Sequence, residues 1–317
     1  MRIVFMGTPD FAVPSLDMLV KSGYEVVAVV TQPDKPKGRG NKLAAPPVKE
    51  YAVNAGIRVL QPVKVKTGEF PDELRKLSPD LFVTVAYGRI LTQGVLDIPR
   101  LGCINVHGSL LPKYRGPTPI QWAVINGDRT TGITTMFTDV GLDTGDILLK
   151  HETEIGRCET VGQLHDRLAV IGAQVLKETL EQLEKGTLPR VPQPEDFTYA
   201  PMITKETGLI AWNKTSEEIY NLVRGTDPWP GAYTFYKGER MRVWKVSDPD
   251  IKDYNNSKSG SNEPGKILSA AKDGIIVQTG DGTARILELQ FDSGKRMGVG
   301  DYLVGHKIDT GEILGMK

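Results

Sequence analysis

An asparagine and a histidine stand two residues apart in 103-CINVHGSLLPKYRGPTPI-120, inside an otherwise apolar run. If 103–106 is a strand, Asn105 and His107 point to the same side, because side chains alternate along a strand. They also fall at its carboxyl end, where open α/β sheets bind ligands. An imidazole moves protons near neutral pH, and a carboxamide can donate to a developing oxyanion. Together they make half of an acyl- or formyl-transfer site. A strand-end histidine that merely bonds to backbone satisfies the same spacing. A carboxylate that orients the imidazole would complete the site. The acid-rich turn 139-DVGLDTGDIL-148 offers Asp139, Asp143 and Asp146, and chemistry alone does not choose among them. The turn lacks the spacing and distal Glu of a calcium loop. His151, His165 and His306 are scattered, so no metal site is expected.

The elements that must position these groups follow from hydrophobic pattern. Strands are expected at 3–6, 25–31, 57–60, 80–86 and 103–106, with helices at 11–22, 48–54 and 72–77. Near-continuous apolar runs separated by helices specify a doubly wound, mostly parallel α/β sheet covered on both faces. Two further strands, 131–140 and 147–155, are spaced as a hairpin around the acidic turn, and a long amphipathic helix over 161–185 closes the domain. Prolines dissolve the pattern at 187–207, which reads as a linker. Beyond a helix near 216–224, short strands punctuated by Asp-Gly turns predict a small antiparallel β-barrel of OB type. The expected division is 1–188, a linker 189–207, and 208–317. Residues 248–265 read as a long mobile loop, and Trp229 as core packing.

Composition limits the possibilities. A chain of 317 residues with 39% hydrophobic and 25% charged content is an ordinary globular protein. Formal net charge is zero, so any nucleic-acid footprint must be local. Cys103 and Cys158 form no Cys-x-x-Cys, which suits a reducing cytosol. The start 1-MRIVFMGTPD-10 is too short for a signal-peptide apolar core, and no apolar run approaches membrane-spanning length, so a cytoplasmic protein is expected. The turn 7-GTPDFAVPSL-16 is neither Gly-x-Gly-x-x-Gly nor a P-loop, which argues against a nucleotide cofactor.

Three elements in order, Asn-x-His, Ser-Leu-Leu-Pro and the downstream Asp, are carried by 105-NVHGSLLPKYRGPTPIQWAVINGD-128 and 141-GLDTGDIL-148. In these the chain closely resembles the folate-dependent formyltransferases, over both domains. The resemblance implies that Asn105 stabilises an oxyanion, that His107 transfers a proton, and that Asp143, rather than Asp139 or Asp146, positions the histidine and a water. It further implies that Ser109, Leu110, Leu111 and Pro112 line the site of the formyl donor, 10-formyltetrahydrofolate. Arg89, Ile90, Leu91 and Asp139 would help to enclose the pterin. The implied reaction is attack of an amine on the formyl carbon through a tetrahedral intermediate, with no metal and no nucleotide cofactor.

The catalytic run cannot name the amine. The loop 31-TQPDKPKGRGNKLAAPPVK-49 carries five cations against Asp34 alone, a local excess of four charges. Its glycines and prolines disfavour a regular strand or helix, and it could fold onto a phosphate backbone. It resembles the inserted loop of the family branch that acts on methionyl initiator tRNA, which implies that Lys37, Arg39 and Lys42 contact that tRNA. A solvated surface loop explains the charges as well. The C-terminal part has fifteen basic and fifteen acidic residues, so only segregation could give it a binding face. Lys237, Arg240, Arg242 and Lys245 cluster around one hairpin as candidates. A sugar-nucleotide formyltransferase, a formyltetrahydrofolate hydrolase and a non-catalytic RNA-binding module are the rival readings. A monomer is expected.

Overall fold

The computed structural model describes residues 1–37, 42–65, 68–250 and 263–315. The Cα positions form two compact units, the first comprising Met1–Pro119, Thr131–Glu154 and His165–Pro201 and the second Ile120–Thr130, Ile155–Leu164 and Met202–Lys317. In chain order the elements up to the long helix are β1 (Arg2–Gly7), α1 (Val13–Lys21), β2 (Glu25–Val30), β3 (Lys35–Lys37), β4 (Lys42–Ala44), α2 (Pro47–Asn54), β5 (Val59–Leu60), α3 (Phe70–Lys76), β6 (Leu81–Val85), α4 (Gln93–Leu96), β7 (Cys103–His107), α5 (Pro119–Ile125), β8 (Thr130–Phe137), β9 (Ile147–Glu154) and α6 (Val161–Lys185). The short helices α4 and α5 have no counterpart in the sequence reading. One-turn α4 is too short to show a period, and α5 begins on the second proline of the run 117–119.

The main sheet of the first unit has the order β5-β2-β1-β6-β7-β8-β9. The strands β5, β2, β1, β6 and β7 pair in parallel, and β8 runs antiparallel to β7. Every residue of β6 and all but the first of β1 are buried, as a strand covered on both faces requires. The order reverses between β1 and β6, the kind of switch point where such sheets open a crevice. Polar groups tie the strand ends there. Thr8 Oγ1 and Gln32 Nε2 both donate to the Tyr87 carbonyl at 3.0 Å. Helix α6 seats closely on β7 because residue 172 is glycine: a Cβ there would stand 3.1 Å from Val106 Cγ1.

The basic loop differs from its sequence reading. Its flanks form a hairpin, with Lys35–Lys37 and Lys42–Ala44 pairing antiparallel from Lys35↔Ala44 to Lys37↔Lys42. Three-residue strands are too short to show in the pattern, and the proline lies within one of them. Arg39, in the connection, lies outside the described residues. Lys49 is engaged by Asp34 at 2.8 Å. The segment after α6 has no long element, but isolated bridges join Val191 to Ile147 and Tyr199 to Arg115.

The second unit continues with α7 (Ser216–Gly225), β10 (Ala232–Tyr236), β11 (Glu239–Val246), β12 (Ile267–Ala271), β13 (Gly274–Gln278), β14 (Thr283–Phe291), β15 (Met297–Gly298) and α8 (Val299–Gly305). Its antiparallel sheet runs β10-β11-β14-β13-β12, with β15 on β14. Trp212, Ile219, Val243, Ile275, Ile286 and Leu289 lie in its core. Trp229 does not, being 53% exposed. The buried indole is that of Trp212, whose Nε1 donates to Thr234 Oγ1 at 3.0 Å. Lys237 is paired with Asp309 at 2.6 Å and Arg240 with Asp292 at 2.8 Å, so two of the hairpin cations are already compensated. Most of the stretch read as a mobile loop, residues 251–262, lies outside the described residues.

Helix α7 starts with a complete capping box: Thr215 accepts from the Glu218 amide at 3.1 Å, and Glu218 accepts from the Thr215 amide at 2.9 Å. Thr215→Ala is expected to lower unfolding stability by about 1 kcal/mol, read by urea unfolding followed through tryptophan fluorescence. An unchanged midpoint would contradict it.

Candidate active site

Asn105 and His107 sit on β7, flanked by β6 and β8. Parallel register places Thr84 beside Asn105, and antiparallel register places Thr134 beside His107. Thr84 Oγ1 donates to Asn105 Oδ1 at 3.0 Å. That bond engages the carbonyl end of the amide and leaves Nδ2 as the end able to donate elsewhere. The sequence reading missed Thr84, although a lone hydroxyl in the apolar strand 81-LFVTV-85 was its signal.

His107 is only 6% exposed, and its Nε2 lies 2.9 Å from the Tyr114 carbonyl oxygen. A carbonyl can only accept, so Nε2 carries a proton in the neutral and in the charged ring alike. Nδ1 is then the atom that gains and loses a proton. It faces Asp143 Oδ1 at 3.7 Å. That separation is too long for a direct hydrogen bond, so attraction acts across the gap without a shared proton. The other carboxylate oxygen, Oδ2, accepts from the Gly116 amide at 2.8 Å. The remaining acids of the turn are occupied otherwise. Asp139 Oδ1 accepts from the Gly141 amide at 3.0 Å and from Thr144 Oγ1 at 2.7 Å, while Asp146 pairs with Arg190.

The connection after β7 is tightly built. Ser109 is fully buried, its Oγ donating to the Lys113 carbonyl at 2.6 Å. Leu111 is also fully buried, packed with Met136 and Ile147. Leu110 and Pro112 remain partly exposed. Of the loop after β6, Arg89 and Ile90 are exposed, whereas Leu91 joins the core beside Val95 and Phe82. Ile90, Val140 and Leu142 are 60%, 59% and 46% exposed, which puts apolar surface on the loops that follow β6 and β8. Asp139, also exposed, caps its own turn. Tyr114 and Asp143 both adopt left-handed backbone, at φ 62° and 55°. Non-glycine residues hold that region only where their surroundings enforce it, and such residues gather at functional sites. Gly116 is obligatory: its φ is +116° and a Cβ would come within 2.7 Å of the Ala200 carbonyl.

The site thus joins a proton-carrying imidazole, a carboxylate across from it and an amide held by its oxygen, the components of proton-assisted acyl or formyl transfer. Burial pushes the nearby Cys103 thiol up to about 11, so it is not a thiolate nucleophile. Among the described residues no cluster of three or more His, Cys, Asp or Glu side chains could hold a metal ion, and no helix is long and apolar enough to cross a membrane.

With this fold and constellation, residues 1–180 match the formyl transferase family model and residues 202–307 the model of the formyl transferase C-terminal domain. The chain belongs to the formyltransferase family. It is 62% identical to methionyl-tRNA formyltransferase from Ruminiclostridium cellulolyticum, over 99% of this chain and 100% of that one. It is 60% identical, with the same coverage, to methionyl-tRNA formyltransferase from Acetivibrio thermocellus. Among solved structures, an N-formyltransferase from Helicobacter canadensis, in complex with folinic acid and dTDP-3-aminofucose, superposes with a TM-score of 0.67 at 20% identity, covering 93% of this chain and 99% of that chain. At that identity the likeness concerns the fold.

Proposed function

We propose that this protein transfers the formyl group of 10-formyltetrahydrofolate to the α-amine of methionyl initiator tRNA, giving N-formylmethionyl-tRNA for translation initiation. The observation that carries the acceptor is identity of 60% or more, end to end, with relatives named methionyl-tRNA formyltransferase. The donor supplies an activated formyl carbon and an N10 leaving group. Asn105 Nδ2 is assigned the oxyanion that develops on the formyl oxygen. His107 Nδ1 receives the proton released by the attacking amine and delivers it to N10 as the C–N10 bond breaks, while the Asp143 carboxylate stabilises the imidazolium in between.

For the donor, a flat pterin needs an apolar slot with convergent backbone groups. Exposed Ile90 and partly exposed Leu110 and Pro112 suit that, with Arg89 and Asp139 as polar edges. Ser109, Leu111 and Leu91 act from behind, by holding the loops in shape. The division 1–188 for catalysis, 189–207 as linker and 208–317 for tRNA contact goes with this reading, as do a monomeric state and a cytoplasmic location.

Lys37, which ends β3, Lys42, which begins β4, and Arg39, between them in sequence, are assigned to tRNA phosphates. Arg39→Ala is expected to raise the KM for Met-tRNA without changing that for the donor, and to flatten the dependence of log K on log salt by about one unit. Unchanged KM and slope would remove this hairpin from the interface. The whole reading is tested with purified protein, 10-formyltetrahydrofolate and either Met-tRNA, a sugar-nucleotide amine or water as acceptor. Salt-sensitive formation of formyl-Met-tRNA supports it. Transfer only to water or to the sugar amine overturns it.

A further inference from the structure

The segment 191–200 returns to the site from outside it. Val191 and Ile147 exchange both backbone hydrogen bonds, at 2.8 and 2.9 Å. The Tyr114 amide donates to Thr198 Oγ1 at 2.8 Å, the Arg115 amide to the Thr198 carbonyl at 2.8 Å, and the Ala200 amide to the Arg115 carbonyl at 2.7 Å. Between these anchors Gln193 uses both ends of its side chain. Its Nε2 donates to the carbonyls of Asp143 at 2.9 Å and Gly145 at 2.7 Å, and its Oε1 accepts from Arg115 Nε at 3.0 Å. Gln193 is half-buried in a run whose neighbours from 191 to 199 are exposed. Arg115 is itself buried, and its guanidinium stacks on Phe197 with 4.4 Å to the ring centre.

These contacts converge on two short loops. One is 114–116, which supplies the carbonyl acceptor of His107 and the amide donor of Asp143. The other is the turn that carries Asp143. Each contains a left-handed non-glycine residue. We propose that Gln193 is a positioning residue for formyl transfer: through one amide it fixes the backbone of the Asp143 turn against Arg115 and so sets the separation of Asp143 from His107. The proposal rests on the assignment of His107 and Asp143 given above. The 3.7 Å gap holds no direct hydrogen bond, so its length depends on the backbone that places each partner and on the Gly116 amide that holds Asp143 Oδ2. Displacements of about 1 Å at such a pair are costly, up to roughly 10²-fold in rate.

The test uses the full chain with Gln193→Ala and Gln193→Glu. The glutamate keeps the shape and the acceptor for Arg115 but cannot donate to the two carbonyls. Both variants are expected to lose roughly 10- to 100-fold in kcat, with KM for the donor and for Met-tRNA kept within about threefold. In the ligand-free protein, the ¹⁵N shift of His107 Nδ1, the nitrogen that faces Asp143, should move while Nε2 keeps the shift of a protonated nitrogen, with melting temperature little changed. Unchanged kcat in Gln193→Glu, or a raised tRNA KM at constant kcat, overturns the proposal. If Gln193→Ala does not fold, Gln193→Glu decides. If the wild type transfers no formyl group, the proposed function fails and the nitrogen shifts alone judge the positioning role, unchanged shifts refuting it.

Discussion

Replacement of His107 by alanine is expected to lower formyl transfer by about 10²–10⁴-fold while donor binding stays near that of the wild type. The expectation follows from where the ring's protons can be. Nε2 is committed to the Tyr114 carbonyl, so in the proposed mechanism the proton exchanged is at Nδ1, facing the Asp143 carboxylate. Without the ring, the protonated amine formed on attack must lose its proton to solvent, and the developing oxyanion loses a cationic neighbour. At 1.36 kcal/mol per decade the loss is about 3–5 kcal/mol of transition-state stabilisation. Donor affinity is the control, because the apolar groups assigned to the pterin, Ile90 after β6 and Leu110 and Pro112 after β7, do not include the imidazole. Equilibrium binding of the donor, beside single-turnover rates with saturating Met-tRNA, separates the two effects. His107→Gln guards against a mere packing defect, since it refills the buried space but cannot cycle a proton. Near-wild-type turnover in both variants would remove His107 from the chemistry.

Asn105→Ala is expected to cost on the order of 10²–10³-fold in kcat. The amide is worth this much only because it is preorganised. Thr84 holds Oδ1, and the register of β6 and β7 holds both residues side by side. A donor already aimed at the future oxyanion needs no reorganisation as charge develops. Asn105→Asp has nearly the same size but places an acceptor where a donor is needed, so its loss should equal or exceed that of alanine. Measured KM for both substrates should move much less than kcat, because the interaction strengthens only in the transition state. An aspartate variant as active as the wild type would show that the amide does not face the oxyanion.

Much of this is legible in the sequence alone. The apolar runs at β1, β2, β6 and β7 announce buried parallel strands, and the pairing of Asn105 with His107 follows from a period of two. The α6 helix was visible from its long amphipathic period. Other elements were hidden for physical reasons. The β3–β4 hairpin has strands of three residues, too few to establish alternation, and α4 is a single turn. Trp229 was read as core because large aromatic residues usually are, but Trp212 is the indole buried in that core.

Residue types and spacing by themselves determined a doubly wound sheet, a second β domain, and a histidine and an amide on one face of a strand end. The order of the short motifs pointed to formyl transfer. Tertiary structure decided how those groups are held. The acceptor on His107 Nε2 is a main-chain carbonyl seven residues downstream, and the donor to Asp143 is a main-chain amide 27 residues away. Every residue has such groups, so no side-chain pattern marks the ones that will be used. The three acids of the turn are equivalent as chemistry; the family resemblance points to Asp143, and packing gives each a different surrounding. One caps its own turn, one pairs with Arg190, and one is brought to the imidazole. That last placement depends on backbone contacts reaching as far as Gln193, fifty residues along the chain, and long-range contacts of this kind exist only once the chain has closed on itself.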